Sequence, residues 1–150
     1  MEIIDISVDT IKNNPNGVAM LAAYSEETRN KDLPMHDPDW SLYEKMEAAG
    51  MIKLFGAFSE AKFVGFIVVL MSPLLHYSKQ VATVESFYVE PEFRSYGTGK
   101  KLLRKAEDYA RSLGSPVLYV TAPRDGRLEA ALPSFGYKPT NTLFCRRLSD

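Results

Sequence analysis

At 150 residues the chain is long enough for one hydrophobic core and too short for two. Its composition, 45% hydrophobic, 11% aromatic and 25% charged, is that of a globular domain rather than a disordered segment. Lys and Arg total 18 against 19 Asp and Glu, and the net charge of −1 excludes a global polyanion-binding field, so any anion site must be local and no nucleic-acid partner is expected.

Residues 1–150 read as a single domain, with no internal repeat, low-complexity tract or linker. The first residues, MEIIDISVD, are acidic and alternating, unlike a secretory leader. The longest nearly apolar run, Phe63 to Met71, is too short to cross a bilayer, so no membrane partner is expected. A single cysteine, Cys145, cannot form an internal disulfide, which is compatible with a reducing, cytoplasmic setting.

In chain order, the alternation of Ile4, Ile6 and Val8 with Asp5 and Ser7 predicts a half-buried strand over Ile4–Val8. A turn cluster, Asn13 to Gly17, precedes weak helical spacing through Val18, Met20, Leu21 and Ala22. Leu33 to Trp40 reads as a loop leading into a helix, with a capping-box pattern at Ser41-Leu42-Tyr43-Glu44 and a stop at Gly50. Three strands are expected next, Ile52–Phe58, Phe63–Met71 and Val81–Val89, whose short connections imply antiparallel pairing. The best-defined helix is Thr98–Leu113, with Leu102, Leu103, Ala106, Tyr109, Ala110 and Leu113 on one stripe and Gly114 and Pro116 as its stop. A strand over Val117–Thr121, a short helix over Leu128–Phe135 disturbed by Pro133, and a last strand near Thr142–Leu148 complete the chain. The path from Val81 to Thr121, strand–helix–strand, implies a right-handed parallel crossover. The fold class is therefore α+β, an α/β sandwich with a mixed, mostly antiparallel central sheet.

The chemistry concentrates where the third of those strands runs into the long helix. Arg94-Ser95-Tyr96-Gly97-Thr98-Gly99-Lys100-Lys101 makes an anion cradle. Its glycines let successive N–H groups converge, the helix start adds partial positive charge, and Arg94, Lys100 and Lys101 add full charges. A diphosphate suits it. A P-loop would need glycine at Arg94 and Ser or Thr at Lys101, and a dinucleotide fingerprint would need glycine at Leu102, so both of those readings fail.

The turn from Arg94 to Gly99 resembles the Arg/Gln-x-x-Gly-x-Gly/Ala signature of the GNAT-type N-acetyltransferases. Phe87-Tyr88-Val89-Glu90-Pro91-Glu92 resembles the strand and Pro-Glu turn before it, and Phe135-Gly136-Tyr137 the family's C-terminal turn. The resemblance implies a GNAT-like fold with acetyl-CoA as cosubstrate and no metal. It places the ligand in a V-shaped gap where the strand ending at Val89 splays from the one starting near Val117. It also implies that the main chain of Phe87, Tyr88 and Val89 pairs with the pantetheine arm. The main-chain N–H groups of Ser95, Tyr96, Gly97, Thr98, Gly99 and Lys100 would hold the diphosphate.

Acetyl transfer to an amine needs a deprotonated nitrogen and a donor for the developing oxyanion, which a backbone N–H near Tyr88 or Val89 can supply. Glu85 is the candidate base; it is placed on the parity of Phe87 and Val89, in an apolar stretch where burial would raise its pKa, with a cross-sheet ion pair or a solvent-facing role as the alternative. The family's frequent acid, a Tyr four residues before the glycine of the C-terminal turn, is here Leu132, so the acid is unassigned. Asp37, Asp39, Trp40 and Tyr43 read first as caps and core anchors, and second as an acidic, aromatic wall for a cationic amine. His36 and His76 have no metal-binding spacing, and Cys145 is assigned to strand packing. The resulting expectation is an acetyltransferase acting on a small-molecule or protein amine. The alternative is a CoA-binding sensor or inhibitor without turnover, and a homodimer stays open.

Overall fold

In the computed structural model, which describes residues 1–150, five strands form one sheet in sequence order. They are β1 (Glu2–Ile6), β2 (Ile52–Ser59), β3 (Lys62–Leu74), β4 (Lys79–Val89) and β5 (Leu118–Val120). The first four pair antiparallel, and β4 pairs with β5 in parallel, so the mixed sheet has the expected crossover. That crossover is α4 (Thr98–Ser112), while α1 (Val8–Lys12), α2 (Pro15–Glu27) and α3 (Trp40–Ala48) cover the opposite face. A short α5 (Arg127–Ala131) runs into a 3₁₀ turn over Leu132–Phe135, where Pro133 ends regular α-helical bonding.

Each face of the sheet has its own core. Leu102, Leu103, Ala106 and Ala110 of α4 pack on Ile67, Val69, Ala82 and Val84, and all eight are buried. Burying such a set, at roughly 1.5–3 kcal/mol per large side chain, pins the long helix and the loop that opens it. Leu113, expected on the same stripe, is instead the C-cap and half exposed. On the other face Val8, Ile11, Met20 and Leu21 pack on Leu54, Phe66 and Val68.

The N-terminal third departs from its alternation. The strand ends at Ile6, and Val8 is buried as the first residue of α1 rather than the last of β1. The reason is a long-range partner: the Val8 N–H donates to Glu47 Oε2 of α3 at 2.9 Å, a helix-start contact that local periodicity does not carry. The Asn-rich cluster is a helix start, with Asn14 accepting from the N–H groups of Asn16 and Gly17 and Pro15 filling the first helical position. A Cβ on Gly17 would lie 2.7 Å from the Ile11 carbonyl, so only glycine lets α1 and α2 meet this closely. The next helix is capped by Asp39, which accepts from the Leu42 N–H at 3.0 Å, and not by Ser41.

The expected last strand is absent. Residues 138–150 form no element, and Leu143, Phe144 and Leu148 are 85–92% exposed. Alternation makes a strand only where an edge is available to pair with, and β5 offers just three residues. Cys145 is accordingly exposed rather than packed in a strand.

Candidate active site

The strand β4 carries a bulge that organises everything around it. Val69 pairs with Val84 and Val68 with Ser86, so Glu85 is an extra residue with no partner on β3. Before it, Ala82 and Val84 face α4; after it, Phe87 and Val89 do, and the parity has switched. Glu85 is therefore not buried on the side of Phe87 and Val89, as its position in the sequence suggests. It is exposed, and lines a cavity under α2 and α3 together with Ser86.

The bulge also ends the pairing with β5. The parallel ladder runs only from Ala82–Leu118 to Val84–Val120, leaving Glu85–Val89 with β3 on one side alone. The Glu90 N–H donates to Val64 of β3 at 2.9 Å. Strand alternation then turns the main-chain groups of Tyr88 toward β3 and those of Phe87 and Val89 toward the gap. The pairing of β4 with β5 thus ends at Val84, on the side where the resemblance implies a gap. Of the outward groups, the Val89 carbonyl is already taken by Arg94 Nε at 2.7 Å, so the Phe87 N–H and C=O and the Val89 N–H remain.

The turn after β4 is built to present amides. Gly97 caps α4 at φ +75°, a left-handed conformation that glycine adopts without the Cβ penalty. Thr98 is fully buried, and its hydroxyl donates to the Phe93 carbonyl at 3.0 Å, fixing the turn from beneath. The Lys101 N–H is the first of α4 to find a carbonyl, that of Gly97 at 3.1 Å; those of Gly97, Thr98, Gly99 and Lys100 have no acceptor in the protein. A Cβ on Gly99 would sit 3.3 Å from the Phe87 ring, so the helix start lies directly against the free edge of β4. Ser95, Tyr96, Lys100 and Lys101 are exposed at the same end, and neither lysine forms an ion pair. An oxyanion-rich diphosphate matches this donor set, and an extended amide chain matches the edge beside it.

Arg94 has a different task from the one expected. Besides Val89, its guanidinium reaches Glu27 Oε1 of α2 at 2.7 Å and lies 5.2 Å above the Tyr88 ring. These contacts tie the turn to β4 and α2. Arg94→Ala should lower stability by about 2 kcal/mol, because the charge-assisted bond to the Val89 carbonyl is partly buried, whereas the ion pair with Glu27 is exposed and adds little. In a thermal melt this is a fall of roughly 4–8 °C for a domain of this size.

On the other side of the sheet lies a cavity of about 370 Å³, walled by Tyr24, Asp37, Asp39, Tyr43, Glu85 and Ser86 among others. The Tyr24 hydroxyl donates to the Glu85 main-chain carbonyl at 3.2 Å, holding the bulge against α2. Burial and the nearby Glu85 carboxylate push the hydroxyls of Tyr24 and Tyr43 up, Tyr43 to about 12, so both stay protonated donors at neutral pH. His36 bonds Ser25 of α2 through Nδ1 at 2.7 Å and so draws the loop before α3 over the cavity. Trp40 and Tyr43 are core anchors, with ring centroids 5.6 Å apart, and Asp39 is a cap; yet Asp39 and Tyr43 line the cavity as well. The reading as cap and core anchors therefore holds for Asp39, Trp40 and Tyr43, while Asp37, Asp39 and Tyr43, but not Trp40, line the cavity.

Tyr24 and Ser86 did not emerge from the sequence. Ser86 was legible only as a small polar residue inside an apolar strand, and Tyr24 only as a residue four beyond Met20 on the inner face of α2. Leu132, in the position of the missing acid, is buried against the α4 core. Gly136, at φ +91°, closes the turn after it, and the Tyr137 N–H bonds the Leu132 carbonyl at 3.2 Å.

Residues 18–137 match the sequence model of the acetyltransferase (GNAT) family, and the chain belongs to that family. A comparison with curated proteins gives no match. Among solved structures, a ribosomal-protein-alanine N-acetyltransferase from Brucella melitensis biovar Abortus 2308 is similar, with a TM-score of 0.73 at 19% identity over 99% of this chain and 100% of that one. An aminoglycoside acetyltransferase from an uncultured soil metagenomic sample, in complex with sisomicin, gives 0.76 at 18% identity over 99% and 96%. A protein described as a putative acetyl transferase, from Pyrococcus furiosus, gives 0.69 at 17% over 98% and 100%. At such identities these structures share the fold.

Proposed function

We propose that the protein is an acetyl-CoA-dependent N-acetyltransferase in which a primary amine attacks the thioester directly, in a ternary complex. What carries the reading is the bulge at Glu85, because it places a free strand edge beside an amide cradle on one side and a carboxylate in a cavity on the other. The cradle amides of Gly97, Thr98, Gly99 and Lys100 hold the diphosphate, and the Phe87 N–H and C=O bond the pantetheine amides. Acetyl-CoA supplies an acetyl group already activated as a thioester. The Val89 N–H faces the gap and stabilises negative charge on the carbonyl oxygen. Glu85 accepts the amine's proton, directly or through water, so that nitrogen arrives with its lone pair free. Holding both reactants in register contributes much of the remaining acceleration, since effective molarities reach about 10⁵ M or more.

No side chain at Leu132 can protonate the departing sulfur, and this feature favours a second reading, a CoA-binding module without turnover. The cavity on the far side of β4 argues for the enzyme, because a pure CoA sensor has no need of an acceptor site. A thiol-release assay with acetyl-CoA and pooled amines separates the two. The enzyme releases CoA in proportion to amine; a module leaves only the background hydrolysis.

A further inference from the structure

Ser86 is 2% exposed, and its hydroxyl is the one buried side-chain oxygen or nitrogen in the protein without a hydrogen-bond partner. A buried hydroxyl left unpaired destabilises the fold, and such a group in a native protein calls for an explanation, of which a bonding partner from outside the chain is one. Its position says where that partner sits. The bulge turns Ser86 and Glu85, neighbours in the chain, into the same cavity wall. The charged side chains around that cavity are Asp37, Asp39 and Glu85, with no Lys or Arg among its lining residues. Asp39 spends one oxygen on its helix cap.

We infer that Ser86 is an acceptor-recognition residue and that the acceptor is a small amine bearing a second positive charge and no carboxylate. The inference rests on the acetyl-transfer reading. The attacking nitrogen has to be neutral, so the acidic rim is not there for it; the carboxylates of Asp37 and Asp39 face an ammonium elsewhere in the same molecule. Beside Glu85, the Ser86 hydroxyl accepts an N–H of the attacking nitrogen and orients its lone pair toward the gap. A cavity of about 370 Å³ is at the small end of ligand sites and suits a molecule of few heavy atoms. A carboxylate-bearing amine would meet three like charges there and is excluded.

Calorimetric titration of 1,4-diaminobutane, butylamine and 4-aminobutyrate into the protein, with and without CoA, tests recognition apart from turnover. The diamine should bind about 10-fold or more tighter than butylamine, with 4-aminobutyrate the weakest. Ser86→Ala should weaken diamine binding by about 3- to 10-fold while leaving the melting temperature unchanged or higher, because no internal bond is lost. Asp37→Asn should bring the diamine close to butylamine. Equal binding of the diamine and 4-aminobutyrate overturns the inference. So does a Ser86→Ala protein that binds the diamine normally or melts several degrees lower. Thiol release keeps the two levels apart. Preferential diamine binding without CoA release leaves recognition standing and removes the transferase reading, whereas CoA release without diamine preference does the reverse.

Discussion

Replacing Glu85 by glutamine is expected to lower kcat by about 10²–10⁴-fold, the usual worth of a positioned general base, if Glu85 serves as one. The side chain keeps its size and its place in the cavity wall, and the Tyr24 hydroxyl bonds the main-chain carbonyl of residue 85, which the substitution does not touch. Affinity for CoA is therefore expected to stay the same, since the cradle lies on the other side of β4. The residual rate should climb with pH as more of the amine becomes neutral in solution, which separates loss of a base from loss of a merely structural carboxylate. An unchanged kcat at neutral pH removes Glu85 from the chemistry.

The second large effect is on binding. Gly99→Asp puts a carboxylate where four amides converge and forces a Cβ within 3.3 Å of the Phe87 ring. CoA affinity should fall by about 100-fold or more, through repulsion of the diphosphate and loss of the close approach between helix and strand edge. Stability should change little, because an acidic residue in the first turn of a helix is favourable by about 0.3–1 kcal/mol and offsets the crowding. Calorimetry and a thermal melt on one preparation read the two effects separately. A variant that folds normally and binds CoA as tightly as the parent would move the diphosphate elsewhere.

Much of the framework was legible because its signals are local. The stripe on α4, the glycine at its cap and the apolar runs of β2, β3 and β4 each follow from neighbours a few residues away, and these are the elements that hold the cradle. The family signature lay in the same stretch. What escaped depends on partners far along the chain: Glu47 turning Val8 into a helix start, Arg94 spending its charge on Val89 and Glu27, and the C-terminal alternation finding no edge to join. The bulge is the most consequential of these. One extra residue opposite Val68 and Val69 reverses parity, moves Glu85 from the expected core face to the cavity, and brings Ser86 with it. No alternation pattern registers such an insertion, because the residues on either side remain apolar and strand-like.

The proposition underlying the whole account is that the β4 edge and the start of α4 together receive CoA. Isothermal titration with acetyl-CoA measures it directly. One saturable site per chain is expected, with a dissociation constant in the range of roughly 1 μM–1 mM typical of enzyme substrates. Absence of binding heat at millimolar ligand contradicts it.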